Sequence, residues 1–67
     1  MKMWIARDKA GCISLYKQCP IWRWNKFGTF EDWFDGDFLT VLPLENFPEV
    51  TFENSPKQVE LKLFNEE

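Results

Sequence analysis

Short apolar runs, each followed by turn-forming residues, limit this chain of 67 residues to small β elements. Residues 2–8 are apolar at both alternating sets of positions, which is typical of a central strand covered on both faces. Residues 8–11 then form a turn signal, in which Gly11 can adopt positive φ. A second short run over residues 12–17 follows the turn. Residues 2–17 therefore predict a β-hairpin.

The next run, residues 21–24, predicts a third strand with two different faces. Its sequence is Ile-Trp-Arg-Trp, so Trp22 and Trp24 lie on one face and Ile21 and Arg23 on the other. Pro20 precedes it, and a proline is acceptable at the start of a strand. The four residues that follow are turn-like.

The stretch FGTFEDWFDGDF, residues 27–38, holds five aromatic side chains and four carboxylates. Residues 29–34 and 37–41 flank Asp35-Gly36, a dipeptide favoured in tight type I′ turns. We predict that these two segments pair as a hairpin with Gly36 at positive φ. Two phenylalanines would then lie on the face opposite Trp33: Phe30 and Phe34.

The C-terminal third predicts one short helical turn and one strand. Pro43 and Pro48 permit about one helical turn near 43–47 and nothing longer. Such a turn would bury Leu44 and Phe47 on one side, because they are three residues apart. Residues 57–64 alternate apolar and polar side chains, which predicts a strand with one buried face. The expected buried residues of that strand are Val59, Leu61 and Leu63.

Together these segments predict one small domain over residues 1–67 that is mainly β. We expect a twisted antiparallel sheet or half-open barrel of five to six short strands, with the last strand next to the first. A chain of this length buries only about 60% of its unfolded surface. The twelve aromatic rings compensate by giving a small core much buried area per residue.

The net charge of −3 conceals an asymmetry between the two parts of the chain. Residues 1–26 carry six basic groups and one acid (+5), whereas residues 27–67 carry two basic groups and ten acids (−8). A fold that separates these parts would have a strong dipole. A fold that interleaves their strands would pair the charges locally. The sequence permits both arrangements.

The residue types present argue against catalysis and metal binding. There is no histidine, no glycine-rich nucleophile elbow and no phosphate-binding loop. One dense carboxylate cluster occurs, at the predicted hairpin tip, where no walls would enclose a substrate: Glu31, Asp32, Asp35 and Asp37. Its spacing does not fit a calcium loop. We therefore expect no enzyme activity, no cofactor and no metal site.

The apolar run at residues 3–6 stops at Arg7, too early for a secretory or membrane-spanning segment. We therefore expect a cytoplasmic protein without a membrane partner. In that compartment Cys12 and Cys19 would be reduced, although a bridge between them is compatible with the sequence.

Two segments resemble a group of very small proteins encoded in prophages and conjugative elements of gut bacteria. They are the opening MWIARDKAG, with SLYK shortly after it, and the later ENFPEVTFENSPKQVELKL. The similarity is most specific at residues 4–9 and 47–56. Small proteins of such elements often bind and inhibit a host or rival protein. The resemblance thus implies a binding module and assigns no catalytic residue.

We accordingly predict a non-enzymatic protein-binding accessory module, of the kind that inhibits a host or defence protein. Aromatic anchors would supply the binding energy and acids at the rim the selectivity. The residues expected to do so surround the predicted hairpin turn: Trp33, Phe34, Asp35, Asp37 and Phe38. The alternative is a structural protein whose excess aromatic residues are buried in a homo-oligomer.

A weaker alternative is single-stranded nucleic-acid binding. Bases stack on exposed aromatic rings, and cations hold the phosphates. The residues of this type are consecutive or nearly so: Trp22, Arg23, Trp24 and Lys26. The acidic pI of about 4.8 opposes attraction to a polyanion, so nucleic acid is an unfavoured partner.

Overall fold

The computed structural model describes residues 2–60, whose regular structure is entirely β and antiparallel. The six strands are β1 (Lys2–Arg7), β2 (Ile13–Tyr16), β3 (Ile21–Trp24), β4 (Glu31–Phe34), β5 (Phe38–Leu42) and β6 (Lys57–Glu60). They form a four-stranded sheet in the order β5-β2-β1-β6 and a two-stranded ribbon of β3 and β4. The predicted small, mainly β fold is confirmed. The strands form two sheets rather than one curled sheet.

Strand β1 lies at the centre of the larger sheet, as its apolar pattern predicts. Ile5 and Ala6, which are neighbours in sequence and therefore face opposite sides, are each 1% exposed. β2 pairs with β1 through the predicted 2–17 hairpin, and Gly11 in its turn has a φ of 100°. β6 pairs with the other side of β1, opposing Val59 to Met3. The last described strand therefore joins the first.

The predicted burial of the β6 alternation is tested only in part. Val59 packs against the core and Glu60 is exposed. Leu61 and Leu63 lie outside the described residues, so their burial stays a prediction.

One face of the larger sheet is covered by the segment that follows β5. Val50 and Phe47 from this segment pack on Ile5 and Ile13. The predicted helical turn near 43–47 is wrong: no residue there is helical, and the segment makes separate turns, in which the Asn46 N–H donates to Pro43 O at 3.0 Å and the Val50 N–H to Phe47 O at 2.9 Å. The pairing of buried side chains expected from that helix is absent as well, since Leu44 is exposed.

The guanidinium of Arg7 explains why this segment is not helical. Carbonyl oxygens of Leu44, Asn46 and Phe47 accept hydrogen bonds from Arg7 at 3.1–3.3 Å. A helix would need these carbonyls to point along its own axis toward later N–H groups. Directed at a side chain of β1, they hold the segment in an irregular loop.

The ribbon of β3 and β4 covers the other face of the larger sheet. Trp22 opposes Trp33 across the ribbon, with ring centroids 5.2 Å apart. Trp33 packs against Ala6 and Tyr16, and its indole Nε1–H donates to Arg7 O at 3.2 Å. Aromatic edge-to-face contacts of this kind add to the burial of the rings themselves.

The predicted hairpin at Asp35-Gly36 is wrong. β4 pairs with β3, and β5 pairs with β2, so residues 35–37 connect the two sheets instead of turning within one. Positive φ occurs at Asp35 (65°) and Asp37 (63°), not at Gly36. The predicted opposition of faces within β4 does hold. Trp33 points inward, and the rings of Phe30 and Phe34 lie 6.2 Å apart outside.

Gly36 is required for space rather than for its backbone angles. A Cβ added there would lie 2.8 Å from Pro20 Cβ and 2.9 Å from both Gln18 O and Tyr16 Cδ2. Its own carbonyl accepts a hydrogen bond from the Gln18 N–H at 2.8 Å. The connection between the sheets therefore runs directly against the end of β2.

The fold interleaves the basic and acidic parts of the chain. Arg23 pairs with Asp35 at 3.1 Å and Lys9 with Glu31 at 3.4 Å, each bridge joining the two parts. The charge asymmetry is therefore local complementarity in this fold.

Both cysteines are free and exposed, so the alternative of a bridge between Cys12 and Cys19 does not apply. None of the described residues belongs to a helix long and apolar enough to cross a membrane.

Candidate partner-binding surface

Large apolar side chains are exposed in two separate places. One group lies on the ribbon and its turn: Ile21, Trp24, Phe27 and Phe30. The other lies on β5 and just after it: Phe38, Leu39, Val41 and Leu44. A contiguous apolar patch on a small protein commonly marks an interaction surface, whereas scattered residues do not. In the second group, Phe38 and Val41 lie on the same face of one strand and form a patch there.

Strand β5 is an open edge of the larger sheet. It pairs with β2 on one side, and among residues 2–60 no strand pairs with the other side. Four of its five residues are exposed, and its sequence Phe-Leu-Thr-Val-Leu contains no charge and no proline. Natural proteins usually protect such an edge with charged side chains or proline. The pairing with β2 is irregular near Tyr16 and regular at residues 40–42.

A cleft of about 370 Å³ lies beside β5, between the larger sheet and β4. Phe38 and Val41 line it because they oppose Tyr16 and Ser14, which face the same side of the sheet. The ring of Tyr16 meets that of Phe38 edge-on, with centroids 6.0 Å apart. Trp33 from β4 lines the cleft on the opposite side. The exposed edge and the cleft therefore form one surface, which we call the β5 surface.

Two partly buried carboxylates, Asp8 and Asp32, give this cleft its charge. Asp8 Oδ1 accepts from the N–H groups of Ala10 and Cys12, and Asp32 Oδ1 accepts from the Trp33 N–H. Among residues 2–60, neither Oδ2 accepts a hydrogen bond and neither carboxylate forms a salt bridge. Each carboxylate is thus fixed through one oxygen and open at the other.

Tyr16 forms part of the cleft and responds to these charges. Burial raises the pKa of the Tyr16 phenol, and the Asp32 carboxylate raises it further, because both disfavour the tyrosinate anion. A hydrogen bond with Ser14 acts in the opposite direction. The phenol is therefore a neutral hydroxyl at the acidic cleft.

The five residues predicted to bind a partner do not form one surface. Trp33 is only 9% exposed and belongs to the core. Phe34 lies beneath the guanidinium of Arg23, 4.5 Å from its carbon, and Asp35 is the ion-pair partner of the same arginine. Asp37 and Phe38 lie elsewhere, at the start of β5, where Phe38 is 57% exposed.

The four residues considered for nucleic-acid binding are likewise dispersed. Trp22 packs against Phe52 at a centroid distance of 4.7 Å, so its ring is not free to stack on a base. Trp24 is 54% exposed. Arg23 pairs with Asp35, and the Lys26 ammonium lies 5.2 Å from the Phe27 ring. Of the two tryptophans, only Trp24 is therefore available for stacking, and the exposed rings nearest to it in sequence are Phe27 and Phe30.

Sequence reasoning missed most of the β5 surface. The sequence predicts one hairpin that contains Leu39 and Val41 and a different hairpin that contains Asp8 and Tyr16. The available signal was the uncharged run at residues 38–42 followed by Pro43, because a proline next to a strand is compatible with an edge. The convergence of Asp8 and Asp32 depends on the packing of the ribbon against the sheet, which no local pattern encodes.

Comparison of the chain with protein-family models, curated proteins and solved structures finds no match. The resemblance to small mobile-element proteins therefore stays a prediction. The described residues include no group of three or more histidine, cysteine or acidic side chains placed to hold a metal ion.

Proposed function

We propose that this protein is a non-enzymatic binding module that recognises another protein through the β5 surface. The observation that supports this most strongly is the exposed, uncharged edge strand. The proposal includes the mobile-element context that the sequence resemblance implies, and with it the inhibition of a host or defence protein. It also includes a cytoplasmic location, where Cys12 and Cys19 remain free thiols.

The energetic argument rests on the apolar side chains of β5. Burying one such side chain completely is worth about 1.5–3 kcal/mol, and Phe38, Leu39 and Val41 are all exposed. A partner strand would also satisfy the backbone groups along the open edge. Phe38 is the aromatic anchor of this surface, and Asp37 beside it belongs to the acidic rim.

Self-association through the same strand is the second candidate. Two copies of β5 pairing edge to edge would bury the same apolar side chains. The net charge of −3 on each chain opposes this arrangement. Nucleic-acid binding through Trp22 and Trp24 has less support, because Trp22 is partly buried and packs against the core.

The test compares two substitutions that add the same charge at different exposed apolar residues. Val41→Lys alters the β5 surface, and Phe27→Lys alters the ribbon turn, where Phe27 is 75% exposed. Each tagged variant is used to capture proteins from cell extract, and light scattering measures its mass. We expect a partner that wild type and Phe27→Lys both capture and that Val41→Lys does not. Equal capture by both variants, or capture by neither Phe27→Lys nor Val41→Lys, would contradict the proposed surface.

A further inference from the structure

We propose that the β5 surface binds an extended peptide segment that carries a basic side chain, with the peptide pairing along β5 and its lysine or arginine entering the cleft. The inference rests on the proposed function and adds the chemical class of the partner. A second copy of this chain and an uncharged strand are the other occupants, and the experiment below separates them.

The geometry of the edge directs alternate partner side chains toward the cleft. A strand added to β5 lies about 4.8 Å from it, and its side chains alternate between the two faces of the sheet. Val41 and Phe38 mark the cleft side of β5. Every second side chain of the added strand therefore lies above the cleft. We infer that one long side chain of that series extends past Phe38 and Val41 into the cleft.

The chemistry of the cleft favours a cation at its end. Asp8 and Asp32 both keep Oδ2 free of hydrogen bonds and salt bridges within residues 2–60. The rings of Trp33 and Phe38 line the same space, and aromatic faces attract ammonium and guanidinium groups. An uncharged side chain would leave both carboxylates partly covered and unpaired, which is unfavourable. A basic side chain supplies the missing partner.

Charge also argues against a second copy of the chain. The β5 of a second copy would contribute Phe, Leu, Thr, Val and Leu, none of which carries a charge. The pairing would bring two acidic clefts together without a cation for either. A basic partner segment instead complements the cleft and the net charge of −3.

The first experiment selects peptides without presupposing their sequence. A display library of random short peptides is selected on the wild-type protein and counter-selected on Val41→Lys. We expect enrichment of β-branched residues alternating around one lysine or arginine. Enrichment without a basic residue would overturn this inference and leave the proposed function intact.

Failure to enrich any peptide is also decisive when combined with light scattering. A wild-type dimer that Val41→Lys dissociates would assign the β5 surface to self-association and replace the proposal. A monomer that enriches no peptide would overturn both this inference and strand pairing at β5.

The second experiment tests the basic side chain itself. The best peptide is synthesised with arginine or with citrulline, which has nearly the same shape and no charge, and binding is measured by fluorescence anisotropy. We expect citrulline, or Asp32→Asn in the protein, to weaken binding about ten-fold. Asp35→Asn removes the same charge at the exposed Arg23 pair and should change affinity less than about two-fold. Equal effects of Asp32→Asn and Asp35→Asn would overturn the placement in the cleft.

Tyr16 provides an independent reading of cleft occupancy. It is the only tyrosine in the chain, so tyrosinate absorbance reports on this residue alone. A guanidinium in the cleft should lower the pH at which Tyr16 ionises, because a nearby cation favours the anion. The citrulline peptide should have no such effect. If an arginine peptide binds without changing the pH at which Tyr16 ionises, its guanidinium lies outside the cleft. That result would overturn the inference.

Discussion

At the scale of single residues, Arg7 determines the fold on one side of the larger sheet. Its five N–H donors are all used, and every acceptor is a backbone carbonyl. The shortest of these bonds joins Nε to Val50 O at 2.6 Å. No carboxylate balances the charge among the described residues, so the carbonyl dipoles act in its place. The sequence pattern predicts that Arg7 lies at the end of a strand. It gives no sign that Arg7 holds the loop after β5 through hydrogen bonds.

Replacing Arg7 by lysine should destabilise the protein strongly although it keeps the charge. Lysine has three donors in a compact group, so at least two of the five carbonyls lose their partner. We expect a loss of about 2–4 kcal/mol in urea unfolding. Arg23→Lys is the matched control, because Arg23 is exposed and its ion pair should contribute no more than about 1 kcal/mol. Similar losses in the two variants would show that the Arg7 bonds do not hold the loop.

Gly36 gives a second prediction at this scale. Gly36→Ala should cost about 1–3 kcal/mol, because its Cβ would overlap Pro20, Gln18 and Tyr16. Gly28→Ala is the comparison, since Gly28 has open space around it and a φ of 70°. That variant should lose only about 1 kcal/mol through backbone strain. Chemical denaturation of both variants measures the difference, and a milder effect at Gly36 than at Gly28 would contradict the crowding.

Tyr16 gives a third prediction, in alkaline solution. The raised pKa of the folded phenol means that the unfolded chain releases this proton first as the pH increases. The contribution to stability is therefore present below about pH 10, the unfolded value, and is lost between that pH and the higher folded pKa. We expect the melting temperature to fall more steeply above pH 10 in wild type than in Tyr16→Phe. Parallel curves for the two proteins would contradict it.

At the scale of elements, the sequence predicts which segments are strands better than which strands pair. Alternation and turn residues located all six strands, because burial on one or two faces imposes a local period. The predicted strand pairing is wrong where a local turn signal competes with partners that are distant in sequence. Asp35-Gly36 favours a tight hairpin, yet β4 pairs with β3 and β5 pairs with β2. The predicted helical turn after β5 is wrong for the same reason. The conformation of that loop depends on Arg7, about forty residues earlier in the chain.

The candidate site illustrates the same limit. The sequence predicts Asp37 and Phe38 as part of a binding surface, and both are exposed at or next to the start of β5. The other three predicted residues make contacts within the protein. Trp33 is buried in the core, and Phe34 and Asp35 interact with Arg23. A binding surface between two sheets requires knowledge of their packing, and that packing has no signature in a single segment.

At the scale of the whole molecule, charge and aromatic packing together oppose nucleic-acid binding. The chain carries a net charge of −3, and the fold uses its cations locally: Arg23 pairs with Asp35, and Lys9 pairs with Glu31. Lys9 also lies 5.8 Å from the Trp22 ring, which it helps to cover. Three exposed rings lie on the ribbon and its turn, but Arg23 there is paired with Asp35, which leaves Lys26 as the nearby cation.

We accordingly expect single-stranded DNA or RNA to bind more weakly than about 100 μM at physiological salt, the weak end of non-specific binding. Fluorescence anisotropy with a labelled oligonucleotide measures this directly. Trp24→Ala is the informative variant, because Trp24 is the exposed tryptophan of the ribbon, and Trp22→Ala would also disturb the core. Micromolar binding that weakens with added salt and disappears in Trp24→Ala would identify a nucleic-acid surface on the ribbon. Phosphate attraction and base stacking would then outweigh the net repulsion, and the β5 surface would no longer be the leading candidate.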